Sequence, residues 1–414
     1  MGSPCLPGGL ARQGVPLFSK DHLSVSDDLV AALRREARDA PESGIVEVFN
    51  YGRGREGLIP LYVGEGDLPT PGFISAAAAK SLAAGETFYT HQRGIPELRA
   101  ALARYHQRTY GKPFDSERFF VTGGGMQAIQ IALRMVSGTG DEVIIAQPAW
   151  PNITAAIGIA GATPVPVPMT LGNDGWTLDL DRLFASVTPR TTAIFINSPT
   201  NPTGWTATLD QLGAILAFAR ERSLWIVADE VYHRFFYAGD RSPSFYDVAE
   251  PDERILYVNT FSKNWAMTGW RIGWLSAPPA LGQAIENLVQ YSTSGVAAIM
   301  QRAACVALDE GDDFLRFQVA RAHAGRDIVC NGLAATGRVH FAEPAGAFYL
   351  FFAVAGEEDT RSLSLRLVDE ANVGLAPGLS FGEAGAGYMR LCFARDARQV
   401  RTATDRLARW IVRQ

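Results

Sequence analysis

Six short, continuously apolar runs recur through the middle of the chain, separated by segments of helical spacing. The runs are RFFVTGG, DEVIIAQP, TTAIFINSP, SLWIVADE, RILYVNTF and RIGWLSAP. They are apolar at every position rather than at alternate positions, which is typical of strands covered on both faces. Intervening segments such as LDQLGAILAFARER have a helical period. The pattern predicts an α/β fold with a mostly parallel sheet wrapped by helices.

The pattern changes toward the C-terminus, where long helical segments precede two further strand-like runs, GAFYLFFAV and GYMRLCFA. This indicates a second, smaller α+β domain. The first residues are rich in Gly and Pro and predict a loose arm. We therefore expect an N-terminal arm at 1–20, a segment at 21–65 that contributes to the small domain, a large domain at 66–290 and a C-terminal small domain at 291–414.

Composition narrows the classes of partner. The chain has 414 residues, 47% hydrophobic and 20% charged, and a formal net charge of -5 without a Lys/Arg run, which argues against a nucleic-acid partner. It has no apolar stretch of membrane-spanning length and no signal-peptide pattern at its start, so we expect no membrane association. The scattered cysteines Cys5, Cys305, Cys330 and Cys392 form no C-x-x-C pair. We expect no metal site and reduced thiols in a cytoplasmic protein.

Polar or glycine-rich clusters follow five of the apolar runs. They are GGGMQ, QPAWPN, NSPTNPTG, DEVYH and TFSKNW. In open α/β sheets, ligands bind outside the carboxyl ends of the strands. Turn residues alone do not account for Lys, Asp, Tyr, Asn and Trp at equivalent strand ends, so the sequence predicts a ligand site at this edge of the sheet.

Two of the clusters have the chemistry of an anion site. The glycine turn of GGGMQAIQIAL leads into a helix whose first N–H groups are free to bind a phosphate, although a tight strand-to-helix turn is the alternative. Arg271 lies eight residues after Lys263, and a buried Arg near Thr260 and Ser262 suits a phosphate monoester. The alternative for Arg271 is an ordinary ion pair.

Other cluster residues suit a protonated aromatic ring. Asp229 stands at the exit of a buried strand and needs a partner, either a ring nitrogen or a structural cation. Tyr232 and Asn201 are placed to contact a phenolate oxygen on the same ring, although NPTG is also a turn signal. Trp150 can lie flat on a ring face or pack in the core.

Lysine is scarce, which makes Lys263 conspicuous. The chain has four lysines, Lys20, Lys80, Lys112 and Lys263, and its other basic residues are arginines apart from six histidines. An amine can be neutralised and act as a nucleophile, whereas a guanidinium stays protonated. The position therefore indicates chemistry that needs an amine.

A phosphate, a pyridinium nitrogen, a phenolate oxygen, a stacking face and a reactive amine together describe pyridoxal phosphate. The chain resembles the class I/II aminotransferases of the aspartate aminotransferase superfamily (fold type I), from LIPLYVGEGDLPTP to YMRLCFA. The most specific features are SK followed by Arg eight residues after the lysine, with NPTG and DEVY upstream in that order. The resemblance implies a pyridoxal-phosphate-dependent aminotransferase.

The resemblance also implies residue roles in catalysis. Lys263 would hold the cofactor as a Schiff base and act as the general base and acid at the substrate Cα. Asp229 would keep the ring nitrogen protonated. Tyr232 and Asn201 would contact the phenolate oxygen of the cofactor, and Trp150 would stack on its ring.

Binding roles follow in the same way. Phosphate binding would use Thr260, Ser262, Arg271, Gly125, Met126 and Gln127. Arg390 would clamp the substrate α-carboxylate, and Gly64 or Gly66 would bring backbone close to the substrate, with Asn201 and Trp150 also contacting it. Tyr89 would reach the phosphate in a neighbouring subunit's site, which implies a homodimer with shared active sites.

The implied reaction moves an amino group from a 2-amino acid to a 2-oxo acid by a ping-pong mechanism. A β-elimination lyase on the same fold is the alternative. A cofactor-sensing regulator is disfavoured because no DNA-binding pattern precedes the enzyme-like region, and a nicotinamide oxidoreductase is disfavoured because G-x-G-x-x-G is absent. The stretch NLVQYSTSGVAAIMQ lacks the Arg that reads a dicarboxylate side chain in the aspartate-specific branch, so aromatic, aliphatic and general donors stay open.

Overall fold

The computed structural model describes residues 29–414. The chain divides into two compact units between Ala40 and Pro41. In the described part of the first unit, residues 29–31 are helical and Arg35–Arg38 form a single helical turn, α1. The predicted arm at 1–20 lies outside the described residues.

The second unit, residues 41–414, contains the sheets and the remaining helices. Its strands are β1 (Ile59–Pro60), β2 (Phe119–Thr122), β3 (Glu142–Gln147), β4 (Thr163–Pro168), β5 (Thr170–Gly172), β6 (Gly175–Thr177), β7 (Thr191–Asn197), β8 (Trp225–Asp229), β9 (Ile255–Thr260), β10 (Gly273–Ser276), β11 (Val339–Phe341), β12 (Tyr349–Val354), β13 (Val373–Gly374), β14 (Ala376–Pro377) and β15 (Tyr388–Cys392). Its helices are α2 (Gly44–Gly52), α3 (Gly72–Ala83), α4 (Pro96–Tyr110), α5 (Gly125–Val136), α6 (Pro151–Ile159), α7 (Leu180–Ala185), α8 (Leu209–Arg222), α9 (Phe245–Val248), α10 (Phe261–Asn264), α11 (Gly282–Gln290), α12 (Ala298–Glu310), α13 (Asp312–Ala334), α14 (Thr360–Arg366) and α15 (Ala397–Arg413).

A seven-stranded sheet forms the centre of this unit, in the order β2-β10-β9-β8-β7-β3-β4. Strand β10 runs antiparallel to both of its neighbours, and the other pairs are parallel. The predicted mostly parallel sheet is confirmed, and the six apolar runs are β2, β3, β7, β8, β9 and β10. Strand β4, TPVPVP, was not predicted because of its three prolines. It lies at the sheet edge, where a residue without an N–H donor is tolerated.

A second, four-stranded antiparallel sheet has the order β11-β12-β15-β14. Separately, β1 pairs in parallel with β13, Ile59 beside Val373, so the start of the second unit joins a strand near its end. The predicted boundaries at 65/66 and 290/291 stay predictions.

Local sequence signals explain the helix ends around the large sheet. Helix α4 starts with Pro96, whose missing N–H costs nothing in the first turn, and stops at Gly111, whose φ of 70° is left-handed. Helix α8 begins with a capping box in which Thr208 and Gln211 satisfy each other's backbone N–H groups. No helix in the described part of the chain is long and apolar enough to cross a membrane.

The parallel strands β3, β7, β8 and β9 all end at the same edge of the sheet. The strands themselves are almost entirely buried, and helices such as α5 pack apolar residues onto them. Polar side chains that follow these strands therefore converge at that edge without disturbing the core.

Candidate active site

A cavity of about 470 Å³ opens at the carboxyl ends of these strands. Eleven of the predicted site residues line it: Gly125, Met126, Trp150, Asn201, Asp229, Tyr232, Thr260, Ser262, Lys263, Arg271 and Arg390. They come from the carboxyl ends of β2, β3, β7, β8 and β9, from the segment just before β10 and from β15. The sheet topology thus brings together residues that are far apart along the chain.

Lys263 lies in helix α10, directly after β9. Its Nζ donates a hydrogen bond of 2.7 Å to the Gly64 carbonyl and lies 5.8 Å from the ring centre of Tyr232. Burial disfavours its charged form and lowers the pKa of Lys263 to about 8. The amine therefore loses its proton far more readily than an exposed lysine does.

Asp229 ends β8 and is buried. Within the described chain, the one hydrogen bond to its carboxylate comes from the Val231 N–H, at 3.3 Å. Burial raises the pKa of Asp229 to about 7, and that hydrogen bond and the charge of Lys263 only partly oppose the rise. A buried acid with so little compensation suits a cationic ligand atom.

Tyr232 is fixed by a residue that the sequence reading missed. Its hydroxyl lies 2.8 Å from the hydroxyl of Tyr349 in β12, and that second hydroxyl lies 3.4 Å from the Gly64 carbonyl. Burial raises the pKa of Tyr232 above its ordinary value, so its hydroxyl stays protonated. The pair presents a hydrogen-bond donor beside Lys263.

Arg390 is buried in β15 and forms no ion pair with any Asp or Glu of the described chain. Its guanidinium donates to the Asn201 Oδ1 at 3.0 Å and to the Tyr62 carbonyl, and it lies 4.7 Å from the ring centre of Tyr349. Its Nε is buried without a partner. A buried cation with unused donors suits a carboxylate ligand.

The turn from β2 into α5 is the predicted anion site, which we call the cradle. Gly124 has a φ of 86°, and a Cβ there would lie 2.8 Å from an Arg271 guanidinium nitrogen. A Cβ on Gly125 would lie 3.5 Å from the Cβ of Thr260, whose hydroxyl is 2.9 Å from that of Ser262. Four of the predicted phosphate residues, Gly125, Thr260, Ser262 and Arg271, thus meet at a helix N-terminus. Arg271 is exposed, contrary to the expected burial, because it lies at the open side of the cradle.

These groups fit pyridoxal phosphate. Asp229 is a buried acid without a cationic partner at hydrogen-bond distance, and Lys263 offers a readily neutralised amine. The absence of a side chain at Gly124 leaves room for the Arg271 guanidinium beside the start of α5. In the described chain, no group of three or more His, Cys, Asp or Glu residues is placed to hold a metal ion.

Three predicted site residues do not line this cavity. The Gln127 side chain accepts from the Gly123 N–H and donates to Ser292 at 2.9 Å, so its amide is used elsewhere. Gly66 lies in neighbouring clefts, and the alternative, Gly64, lines the cavity. Tyr89 is 92% exposed on the surface of the chain.

Part of the cavity wall was not predicted from the sequence. Ile45, Val46 and Phe49 of α2 line it, together with Tyr62 and Tyr349. The one available signal for the β12–β15 pair was an arginine inside the apolar run YMRLC, since a buried guanidinium needs aromatic or polar neighbours. Nothing local marked α2 as part of the site.

The large mixed sheet flanked by helices, with a cavity at its strand ends, makes the chain a fold type I transferase. A sequence profile described as aminotransferase class I and II matches residues 57–407. The chain belongs to that family, so it is an enzyme, a transaminase that transfers amino groups. The resemblance, fold class and enzyme class predicted from sequence are confirmed.

Individual relatives agree with this assignment. The chain is 36% identical over 352 residues to the aspartate aminotransferase of Thermotoga maritima, covering 85% of this chain and 91% of that protein. It is 34% identical to aromatic-amino-acid aminotransferase 2 of Thermococcus litoralis, covering 88% and 94%. A solved structure of Thermus thermophilus aspartate aminotransferase, a single mutant, matches with a TM-score of 0.85 and 34% identity, covering 91% and 99%. The named substrates of these relatives differ.

Proposed function

We propose that the chain is a pyridoxal-phosphate-dependent aminotransferase that takes an amino group from a 2-amino acid and gives it to a 2-oxo acid by a ping-pong mechanism. The observation that carries the proposal is the low-pKa amine of Lys263 in one cavity with the buried acid Asp229 and the ion-pair-free Arg390. When bound, the cofactor supplies an electron-withdrawing ring that carries the amino group between the two substrates.

Each residue then has a defined task. Asp229 pairs with the protonated ring nitrogen, and Tyr232 donates to the phenolic oxygen of the ring. The Asn201 Oδ1 accepts from Arg390, which leaves its Nδ2 free to donate to the same phenolic oxygen. Arg390 binds the α-carboxylate of the substrate as a bidentate partner. Lys263 would hold the cofactor through its amine, and the freed amine would act at the substrate Cα as a general base and then as a general acid.

The remaining residues hold the phosphate and the ring face. Thr260, Ser262 and Arg271 bind the phosphate together with the first N–H groups of α5. Trp150, the residue before α6, covers the ring face.

Lys263→Ala tests the proposal. The variant should lose the visible absorbance of lysine-bound cofactor. Its turnover rate should fall at least about 1,000-fold, on the order expected when a covalent catalytic group is removed. Its far-ultraviolet circular dichroism should match the parent. The matched control is Lys80→Ala, because Lys80 is an exposed lysine outside the cavity. An intact lysine-bound absorbance band in Lys263→Ala would overturn the assignment.

The reaction itself is tested on the parent enzyme. An amino acid should abolish the band in a single turnover, and an added 2-oxo acid should restore it. Steady release of ammonia and an oxo acid without an acceptor would instead identify a β-elimination lyase.

We also infer a homodimer with shared active sites. Tyr89 and the adjacent Phe88 are 92% and 84% exposed in the single chain, which supports their contact with a second subunit. In the proposed dimer, Tyr89 reaches the phosphate in the partner subunit's site.

A cytoplasmic location is part of the same proposal. The free thiols of Cys305, Cys330 and Cys392 support it, since disulfides are rare in reducing compartments. Fractionation of cells that express the tagged chain would test the location, and recovery outside the cytoplasm would contradict it.

A further inference from the structure

One side of helix α2 packs against helix α14 and the strands β13 and β14. Val48 is fully buried, and Glu47 forms an ion pair with Arg361 of α14. The Tyr51 hydroxyl donates to Asp369 at 2.8 Å. These contacts hold the helix in a defined orientation, so its other face has a defined direction too.

That other face forms an apolar wall of the cavity. Ile45, Val46 and Phe49, at helical positions i, i+1 and i+4, all line the space, and we call them the α2 wall. Val46 is 52% exposed and Phe49 is 42% exposed, so apolar surface remains uncovered at the cavity mouth. Covering this surface with an apolar ligand group would be favourable.

A single residue, Tyr62, connects the α2 wall to Arg390, the predicted clamp for the substrate α-carboxylate. The Phe49 ring meets the Tyr62 ring edge-on, with centroids 5.8 Å apart. The Tyr62 carbonyl in turn accepts a hydrogen bond from Arg390. An amino acid whose carboxylate is held by Arg390 therefore has an apolar surface within reach of its side chain.

In the described part of the single chain, the charged groups of the cavity leave no cation for a second substrate carboxylate. The charged residues that line it in the described chain are Glu65, Asp229, Lys263, Arg271 and Arg390. In the proposed function, Lys263 and Arg271 bind the cofactor and Arg390 binds the substrate α-carboxylate, so all three cations have a ligand. Glu65, whose carboxylate accepts from Thr268 at 2.9 Å, adds a negative charge that would repel an acidic side chain.

We propose that the preferred amino donor has a large apolar side chain, aromatic or aliphatic, which packs on the α2 wall while Arg390 holds its carboxylate. This inference rests on the proposed aminotransferase function and adds its substrate class. The α2 wall is the specificity determinant: it favours donors that cover it and offers nothing to aspartate or glutamate.

A panel of donors tests the substrate class on the holoenzyme. The single-turnover loss of the lysine-bound absorbance gives a second-order rate constant for phenylalanine, leucine, methionine, alanine, aspartate, glutamate and arginine. We expect the apolar donors to exceed aspartate and glutamate by at least about 10-fold, the lower end of what a side-chain subsite provides. A faster reaction with aspartate, glutamate or arginine overturns the inference but leaves the proposed function intact. Loss of absorbance with none of the donors contradicts the proposed function itself.

Binding without reaction gives a second readout. Calorimetry should show that 3-phenylpropionate, an unreactive analogue of an aromatic donor, binds the holoenzyme at least about 10-fold more tightly than succinate. Equal or tighter binding of succinate would overturn the inference.

Phe49→Ala assigns the preference to the α2 wall. The phenylalanine-to-alanine ratio of the rate constants should fall about 10-fold, because the aromatic donor loses its main apolar contact. The matched control is Phe317→Ala, the same change at an aromatic residue that is 53% exposed and outside the cavity, and it should keep the parental ratio. The lysine-bound absorbance of each variant reports an intact site. An unchanged ratio in a Phe49→Ala protein that keeps this absorbance would overturn the role of the wall.

Discussion

At the scale of single residues, two buried ionisable groups of the cavity have strongly shifted pKa values. Burial lowers the pKa of Lys263 to about 8 and raises the pKa of Asp229 to about 7, so both shift toward neutrality. Both shifts have desolvation as their main cause. The site is thus prepared to exchange protons near neutral pH, and a cation next to Asp229 would restore the carboxylate.

The pKa of Asp229 makes a prediction about the cofactor-free protein. Unfolded, the acid ionises near pH 4, but folded it keeps its proton up to about pH 7. The folded state therefore binds more protons in this window, and its stability falls as pH rises through it. Asp229→Asn should remove this pH-dependent loss of stability. The difference in free energy of unfolding between variant and parent should therefore shift in favour of the variant by up to about 4 kcal/mol from pH 4 to pH 8.

Urea unfolding of the two cofactor-free proteins at pH 4.5 and pH 8 measures the effect. The neighbouring acid Glu230, whose pKa burial also raises to about 7, is present in both proteins and cancels in the comparison. A difference between the proteins that stays the same at both pH values would contradict the prediction.

Arg390 makes a second prediction at the residue scale. Arg390→Gln removes the guanidinium that would hold the substrate carboxylate, and loss of a buried charged partner costs roughly 2–5 kcal/mol. We expect kcat/KM for every donor to fall at least about 30-fold and 3-phenylpropionate binding to weaken in parallel. Arg401→Gln is the control because Arg401 is exposed on α15. Retention of parental inhibitor binding by Arg390→Gln would show that the carboxylate binds elsewhere.

At the scale of elements, the strand-to-helix turn between β2 and α5 places the cradle at the end of the sheet. Gly124 has a φ of 86°, and a Cβ added to it would lie 2.8 Å from a nitrogen of the Arg271 guanidinium. A side chain there would both strain the turn and displace the arginine. In the proposed function, the backbone geometry of this turn therefore affects phosphate binding through Arg271.

Gly124→Ala should weaken cofactor binding at least about 10-fold, which corresponds to the loss of about one charge-assisted hydrogen bond. Gly111→Ala is a matched control, because Gly111 has a φ of 70° but no neighbouring atom within 4 Å of an added Cβ. Both variants should lose stability from backbone strain, and only Gly124→Ala should lose cofactor affinity in an absorbance titration. Equal cofactor affinities would exclude the contact with Arg271 as the cause.

At the scale of the whole molecule, we predict a homodimer whose active sites are shared between the subunits. Analytical ultracentrifugation should give twice the 44.8-kDa mass of the chain. Tyr89→Phe should keep that mass but weaken cofactor binding several-fold, since it removes one hydroxyl from the phosphate. Tyr51→Phe removes a hydroxyl from another exposed tyrosine, one that does not line the cavity, and serves as the control. A monomeric holoenzyme with parental affinity in Tyr89→Phe would contradict the shared site.

Local signals determined much of the fold. Continuous apolar runs predicted six strands of the large sheet because parallel strands are covered on both faces. The same reasoning missed β4, since its prolines are tolerated only at a sheet edge, and the position of a strand in its sheet is not a local property.

The sequence by itself determined the chemistry expected of the site. Lys263, Asp229, Tyr232 and Asn201 follow apolar strands, and parallel strands bring their carboxyl ends to one edge. Their convergence could therefore be predicted without coordinates, because it depends on strand direction alone.

Only the tertiary structure decided which surfaces complete the cavity. It brought the α2 wall to the cavity and Tyr349 beside Tyr232, left Arg271 at the open side, and turned the Gln127 side chain toward Ser292. These arrangements join residues that are distant in sequence, and they depend on how helices and sheets pack against each other. Periodicity and motif spacing report the conformation of one segment at a time, so they carry no information about such contacts.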